Sequence, residues 1–314
     1  MIPSLLSTSA AHPPSEHPTL HVLLATYNGE RWLDEQLRSI FSQHGVVVSV
    51  LVSDHGSSDS TVAILHRWRE AGHAVVLLDG NGPGNGAAPN FLRLLREADA
   101  DAFDYIALAD QDDIWLPNRL SRAASLLRRY SAGGYSSDAL AFWPDGRRAR
   151  LRKTHRHRCF DYLLESAGAG CTYVMSSGFF ERLQLELKQE PARFDATSYH
   201  VWLIYVFART HDYSWHFDDH VGVHYRQHDS NEVGANVGLR AIVRRWRRAR
   251  SGLYRQKVLH MARLWPDKHL QLIQRFERFN LTDRLALALQ TDQLRRRPRD
   301  RLALFLMLLL GILG

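Results

Sequence analysis

Apolar positions in the first third of the chain switch repeatedly between two spacings. Leu20–Thr26 is an unbroken apolar run of strand length, and Glu30–Gln43 then sets Trp32, Leu33, Leu37, Ile40 and Phe41 at a helical period. Val46–Ser53 is a second, β-branched run, followed by a helical pattern over Val62–Trp68. Ala74–Leu78 and Tyr105–Ala109 read as two further strands, with a helix over Asn90–Ala98 between them. Continuous apolar strands alternating with helices predict an α/β fold, a mainly parallel central sheet flanked by helices on both faces. Ligands of such sheets bind beyond the carboxyl ends of the strands, so those segments are where function is expected.

The four strand ends share one chemistry. The first runs into Thr26-Tyr27-Asn28-Gly29, the second into Ser53-Asp54-His55-Gly56-Ser57-Ser58-Asp59, and the third into the glycine-rich Asp79–Gly86. The fourth runs into Asp110-Gln111-Asp112-Asp113. Glycines admit a ligand close to the backbone, and amides that open the following helices favour anions such as phosphate. Three carboxylates within four residues repel one another unless a cation or strong donors offset their charge, and hard oxygen ligands select Mg²⁺ or Mn²⁺. Taken one at a time, each loop also reads as a set of ordinary turn residues, and the acidic run as a solvated helix cap. Four such loops at one sheet edge weaken that alternative.

Composition divides the chain. Its 314 residues, 45% hydrophobic and 23% charged, are those of a globular protein large enough for a substantial core. The formal charge of +7 is segregated: residues 240–301 carry +13, leaving −6 on the remainder. Three segments are expected: a loose tail over 1–18, an α/β domain over 19–236, and a helical, basic, amphipathic C-terminal region over 237–314. In the last, Arg240, Arg244, Arg245, Arg247, Arg248 and Arg250 flank Ile242, Val243 and Trp246. A second basic block, Arg295–Arg301, precedes the apolar run Leu302–Leu313, which is shorter than the roughly 20 residues of a membrane span. Basic helices beside apolar segments suit an anionic membrane surface. The same pattern also suits helices that pack on the domain or on a second subunit. Nucleic acid is not expected as a partner, because the basic stretch has no recognisable binding module and the strand-end cleft is acidic. Cys159 and Cys171, the two cysteines, support no disulfide framework and fit a reducing compartment, and residues 1–18 lack the basic start of a secretion signal.

His216, His220, His224 and His228 recur every four residues. On a helix they would share one face as a zinc site, but Trp215–Phe217 and Val221–Tyr225 read as two short strands joined by a turn, so structural zinc is not expected.

Six motifs, in order, resemble those of glycosyltransferase family 2, with the bacterial rhamnosyltransferase-like branch the most similar. They are Thr26–Gly29, Asp54 with Gly56–Asp59, Gly86 with Asn90-Phe91, Asp110–Trp115, Gly170-Cys171-Thr172 and Tyr225-Arg226-Gln227-His228. The resemblance implies a GT-A fold that passes a sugar, possibly rhamnose, from a dTDP- or UDP-linked donor to an acceptor hydroxyl with inversion. The acceptor class it implies is a glycan or lipid-linked oligosaccharide of surface polysaccharide synthesis, reached from the cytoplasmic face of the cell membrane with the C-terminal region attached peripherally. It assigns Thr26, Tyr27, Asn28, Glu30, Asp54, Asn90, Asp110 and Arg226 to the donor, and Asp112, Asp110 and His228 to a Mn²⁺ or Mg²⁺ ion. Trp115 reads equally as a platform for a sugar face and as a packed aromatic.

The chain departs from the family pattern twice. His55 stands where a second acidic residue is usual. In Tyr199-His200-Val201-Trp202, the family commonly has His-Asp-Trp, whose aspartate is the general base, and Val201 takes no proton. His200 and Asp195 are the nearest substitutes in sequence. The alternative is a catalytically weakened protein that binds nucleotide sugars as a partner of another transferase.

Overall fold

The computed structural model describes residues 17–80, 82, 86–195, 197, 199–228 and 252–313. Residues 1–16 of the expected tail, part of the glycine-rich third loop, the boundary at 236/237 and the Arg240–Arg250 helix lie outside these residues. The alternating half forms as expected: β1 (Thr19–Thr26), α1 (Leu33–Phe41), β2 (Val47–Asp54), α2 (Thr61–Glu70), β3 (Val75–Leu77), α3 (Ala87–Glu97) and β4 (Tyr105–Asp110). β3, β2, β1 and β4 lie side by side and all parallel.

The sheet then changes character. β5 (Ile114–Trp115), α4 (Arg119–Tyr130), β6 (Gly134–Phe142), β7 (Arg148–Leu151) and β8 (Val174–Ser176) follow. They are succeeded by α5 (Ser177–Gln189), α6 (Pro191–Asp195), α7 (His200–Thr210) and β9 (Trp215–Arg226). β8 joins β4 antiparallel, and β6 pairs antiparallel with β8 and β7 but parallel with β9, giving a nine-stranded mixed sheet. The histidine-rich segment is one long strand, not the two strands and turn expected, with register shifts opposite Ser137–Ala139 absorbing Asp218–Gly222.

Strand alternation sorts the core onto two faces. Val22 and Leu24 pack with Leu33, Leu37, Ile64 and Leu120, whereas Leu23 and Leu108 pack with Phe91, Phe180 and Leu203. The C-terminal helices α8 (Leu253–Arg263), α9 (Leu270–Arg278), α10 (Leu281–Ala288), α11 (Thr291–Leu294) and α12 (Pro298–Leu309) feed the second face through Met261, Phe276, Leu287 and Leu308. Asn280 caps α10 by accepting from the Asp283 amide at 2.9 Å, and Pro298 opens α12 where its missing N–H costs nothing.

The Arg295–Arg301 block differs from its expected place on a membrane-facing surface. Arg296 is 4% exposed and sits 3.3 Å from Glu165 and 3.5 Å from Asp161. Arg295 donates to the Tyr254 hydroxyl at 2.6 Å, and Arg301 turns back onto the Arg295 and Arg296 carbonyls. Buried carboxylates recruited these arginines inward, which a one-dimensional charge count does not register. Among the described residues no helix is long and apolar enough to cross a membrane.

Candidate active site

Most of the residues expected to bind the donor gather where β1 and β2 end in register, Thr26 beside Asp54. The Thr26 hydroxyl, the Ser57 hydroxyl and the Ser57 amide each donate to the Asp54 carboxylate at 2.7 Å. Gly56, at φ +75°, makes the turn that returns Ser57 to Asp54. Asn28 ties the two loops together: its amide donates to Ser57 Oγ at 2.8 Å, and its side-chain oxygen accepts from the Ser58 amide at 2.9 Å. Tyr27 is 54% exposed and leans at 5.4 Å on the His55 ring, whose Nδ1 lies 3.0 Å from the Gly82 carbonyl. An exposed aromatic beside a fixed carboxylate is a platform for a base.

Two residues assigned to the donor hold the loops together instead, Glu30 at the surface and Asn90 from within. Glu30 accepts from the Ser60 amide at 3.0 Å and closes the second loop. Asn90 is 2% exposed, donates to the Ser53 carbonyl at 2.8 Å and meets the Ser53 hydroxyl, supporting the loops from beneath. A Cβ at Gly82 would stand 2.4 Å from its amide oxygen, so only glycine passes there. Sequence reading missed Gln111. Its side chain pairs with both the amide and the carbonyl of Tyr27 at 2.9 Å, and a Cβ at Gly29 would strike it. The signal was present, because a glutamine between aspartates at a strand end is the one residue there able to donate and accept at once.

The acidic run divides into two constellations. Asp112 holds His228 Nε2 at 2.7 Å, and His228 stacks on Trp32 at 4.1 Å. Asp110 and Asp113 gather instead with Cys171, their ligand atoms within 4.8 Å of one another. Arg226 bridges the two, its amide donating to Asp113 Oδ1 at 3.1 Å and its Nε to the Asp112 carbonyl at 2.8 Å, while its guanidinium also pairs with Glu35. Asp113 is fully buried, and its second oxygen has no hydrogen-bond partner among the described residues. Burial first, then the charges of Asp110 and Asp112, push its carboxyl well above the usual range. Burial, then Asp113 and Asp110, also push the Cys171 thiol well up, which keeps it protonated and a poor ligand for a hard cation. Clustered carboxylates with an orphaned buried oxygen fit a divalent ion of the Mg²⁺ and Mn²⁺ class.

Beneath this cluster, Trp115 is 2% exposed under the Arg119 guanidinium at 3.7 Å, which decides for packing over a sugar platform. Arg119 is itself buried and holds the Cys171 carbonyl at 2.5 Å.

Opposite the donor loops, the 3₁₀ turn Gly170–Thr172 abuts the start of α7. A Cβ at Gly170 would lie 2.5 Å from Val201 Cγ1 and 3.5 Å from His200 Nε2, so the turn, Val201 and His200 are immediate neighbours. His200 stacks on Phe91 at 4.0 Å, and burial pushes its pKa down to about 3. Asp195 is placed elsewhere. It ends α6, is largely exposed, and pairs at 2.8 Å with Arg96 in the last turn of α3. The structure thus brings His200 and Val201 together at the turn and leaves Asp195 in a different ion pair.

A family model described as Glycosyl transferase family 2 matches residues 21–191. The dTDP-rhamnosyl transferase RfbG of Shigella flexneri is 35% identical over 290 residues, 92% of this chain and 100% of that protein. The putative glycosyltransferase EpsE of Bacillus subtilis is 29% identical over 113 residues, 36% of this chain and 40% of that one. Among solved structures, the mannosyltransferase PcManGT from Pyrobaculum calidifontis, in complex with GDP-Man and Mn²⁺, matches with a TM-score of 0.52 at 17% identity, covering 96% of this chain and 88% of that one. TarS 1–349 of S. aureus in complex with UDP-GlcNAc matches with a TM-score of 0.50 at 16% identity, over 81% and 73% of the two chains. The likeness to these two structures is one of GT-A fold.

Proposed function

The chain belongs to glycosyl transferase family 2, and from that premise we propose that it moves rhamnose from dTDP-rhamnose to a hydroxyl of a glycan or lipid-linked acceptor, with inversion. One observation carries the reading: the Asp54 cradle with its exposed Tyr27 and the acidic run open at the same sheet edge. The donor name rests on the 35% identical relative. Asp54, aligned by Thr26 and Ser57, accepts the imide N–H of thymine or uracil, and Tyr27 stacks on the ring. Asp110, with Asp113 beside it, and Asp112, with His228 behind it, would hold the divalent ion. When bound, that ion supplies charge stabilisation to the departing diphosphate. Arg226 keeps Asp112 and Asp113 in place through its amide and Nε.

Among the described residues at the Gly170–Thr172 turn, the proton of the acceptor hydroxyl has no strong taker. Val201 offers none, and His200, held near a pKa of about 3, is neutral at pH 7 but a weak base. This favours a second reading, a nucleotide-sugar binder with slow transfer. Calorimetric titration with dTDP, UDP and GDP, each with and without Mn²⁺, tests the donor side. Mn²⁺-dependent binding of dTDP and UDP over GDP is expected, and failure of all three to bind rejects the assignment. Val201→Asp then separates the two readings, since a rise in turnover of about 10²-fold marks the slow-transfer state.

The exposed leucines Leu281 and Leu285 of α10 and Leu289 just past it, with Leu302 and Leu306 of α12 and Leu310 just past it, are the apolar surface by which we propose the chain sits on a membrane. Retention on anionic vesicles that survives Leu285→Ser with Leu306→Ser rejects this placement.

A further inference from the structure

The segment Arg147–Arg158 holds seven arginines and lysines and no carboxylate. Two of the seven are neutralised where they stand, Arg147 by Asp145 and Arg150 by the buried Asp138. Lys153 is different. Its amide donates to Asp138 Oδ1 at 2.7 Å, but its ammonium has no hydrogen-bond or ion-pair partner among the described residues. The nearby charges are chiefly Arg297 and Arg296, with Glu165 and Asp300 on the other side of the balance. Both carboxylates are already engaged, Glu165 by Arg296 at 3.3 Å and Arg295 at 3.7 Å, and Asp300 by Arg299 at 3.4 Å. Arg297 donates to His155 Nε2 at 3.0 Å, which fixes that imidazole neutral and leaves its own charge unanswered. Burial, then Arg297 and Arg296, push Lys153 down to about 8, the direction that a cation crowded by cations takes.

The cluster borders the acceptor turn. A Cβ at Gly168 would lie 3.8 Å from Lys153 Cβ and 3.6 Å from Thr172 Oγ1, two residues before Gly170 meets Val201 and His200. Lys153 and Val201 thus both lie beside the same short loop. Donor diphosphate is served by the acidic run, so a second anion is what this excess of charge would accept.

We propose that Lys153 and Arg297, with His155 and Arg152 beside them, form a phosphate-binding site on the acceptor side, separate from the donor diphosphate site. The site deepens the glycosyltransfer reading by giving the acceptor an anionic anchor: a phosphate or diphosphate group reached across the Ser166–Thr172 loop from the hydroxyl that receives the sugar. A lysine ammonium and an arginine fork are complementary to such a group.

The test is titration of the full chain with inorganic pyrophosphate in EDTA, where the metal-dependent donor site is silent. Binding is expected, weakened at least tenfold by Lys153→Met and by Arg297→Gln, retained in Lys153→Arg, and unchanged in Asp112→Asn. Equal affinity in wild type, Lys153→Met and Arg297→Gln overturns the site, as does loss in Asp112→Asn with the other two unaffected. Circular dichroism identifies a variant that fails to fold, and Lys153→Met then carries the comparison without Arg297. Phosphatidylglycerol vesicles distinguish the source of the phosphate. Vesicle binding kept by Lys153→Met assigns the site to the acceptor's own phosphate, and vesicle binding lost with pyrophosphate affinity assigns it to a lipid headgroup. A chain that binds no dTDP or UDP with Mn²⁺ yet keeps Lys153-dependent pyrophosphate binding sinks the donor reading and leaves this site standing.

Discussion

The proposed donor half and the proposed acceptor half of this molecule are built by different means. Donor residues hang on the ends of neighbouring parallel strands, and most of their contacts join adjacent loops: Thr26 to Asp54, Asn28 to Ser57, Gly29 to Thr61. The acceptor loop is held from far along the chain. The Arg296 amide and guanidinium secure Glu165 and Ser166, and Tyr254 and Gln293 secure the Leu164 carbonyl and the Phe160 amide. Tyr173 then links the Ala167 amide, at 2.9 Å, to the Val201 carbonyl, at 3.2 Å. The described C-terminal helices are therefore part of the framework of the Phe160–Thr172 loop on the proposed acceptor side, while the proposed donor side is framed by residues 19–110 and the end of β9.

The sharpest way to break this contrast is at the ion site. Asp112→Asn is expected to lower transfer by about 10⁴-fold, roughly 5 kcal/mol of barrier, while leaving thermal stability near the parent value. A variant that transfers normally with Mn²⁺ removed would erase the distinction between a donor side that works through an ion and an acceptor side that does not.

Next in size is Arg296→Met. Removing one partner from a buried ionic cluster typically costs 3–5 kcal/mol, and here the lower end, about 3 kcal/mol, is expected because Arg209 still meets Asp161 at 2.8 Å and Arg295 remains near Glu165. The functional signature separates positioning from simple instability: at a temperature where the variant is folded, acceptor KM rises and dTDP affinity is unchanged. Equal losses on both sides would mean that the two halves are one cooperative unit.

This division also explains what the sequence disclosed. Four strands, three helices and the strand-end loops were legible because apolar period and turn chemistry are local. The acidic run stood out as a candidate site because three carboxylates within four residues at a strand end call for a counter-charge. Its internal arrangement was not. That Asp113 turns inward to Arg226 and Cys171 while Asp112 meets His228 depends on β9 returning from more than 100 residues away. Arg295 and Arg296 were read as surface charge for the same reason, their counterions lying about 130 residues upstream. Asp195 was a fair substitute base by proximity in sequence, and a helix boundary sent it to Arg96.

Acid provides a finer probe, because each half contains a histidine kept neutral by burial. His21, stacked on Phe103 at 4.3 Å, is pushed down to about 4, and His200 to about 3, from an ordinary 6.5. In both cases the unfolded chain binds the proton more tightly. Stability from the neutral ring is thus complete above about pH 6.5 and is lost as pH falls toward the folded pKa. By pH 4.5 His21 alone accounts for up to roughly 2.5 kcal/mol at 1.36 kcal/mol per pKa unit. Urea melts between pH 7 and 4 measure this. His21→Phe and His200→Phe should each flatten part of the slope, and a slope that neither changes would place the acid sensitivity in the carboxylates.

The smallest effect sharpens the comparison within the C-terminal region itself. Arg263 and Glu277 join α8 to α9 at 2.6 Å, closer than the Arg296 guanidinium comes to Asp161 or Glu165, yet their side chains are 59% and 38% exposed. Water already solvates both groups, so forming the pair replaces good hydration with a contact that salt screens. Arg263→Gln is therefore expected to cost less than about 1 kcal/mol, and the cost should shrink further in 0.5 M salt. If instead it matched Arg296→Met, distance rather than burial would govern the ionic contacts here, and the inward turn of Arg296 would lose its claim to shape the acceptor loop.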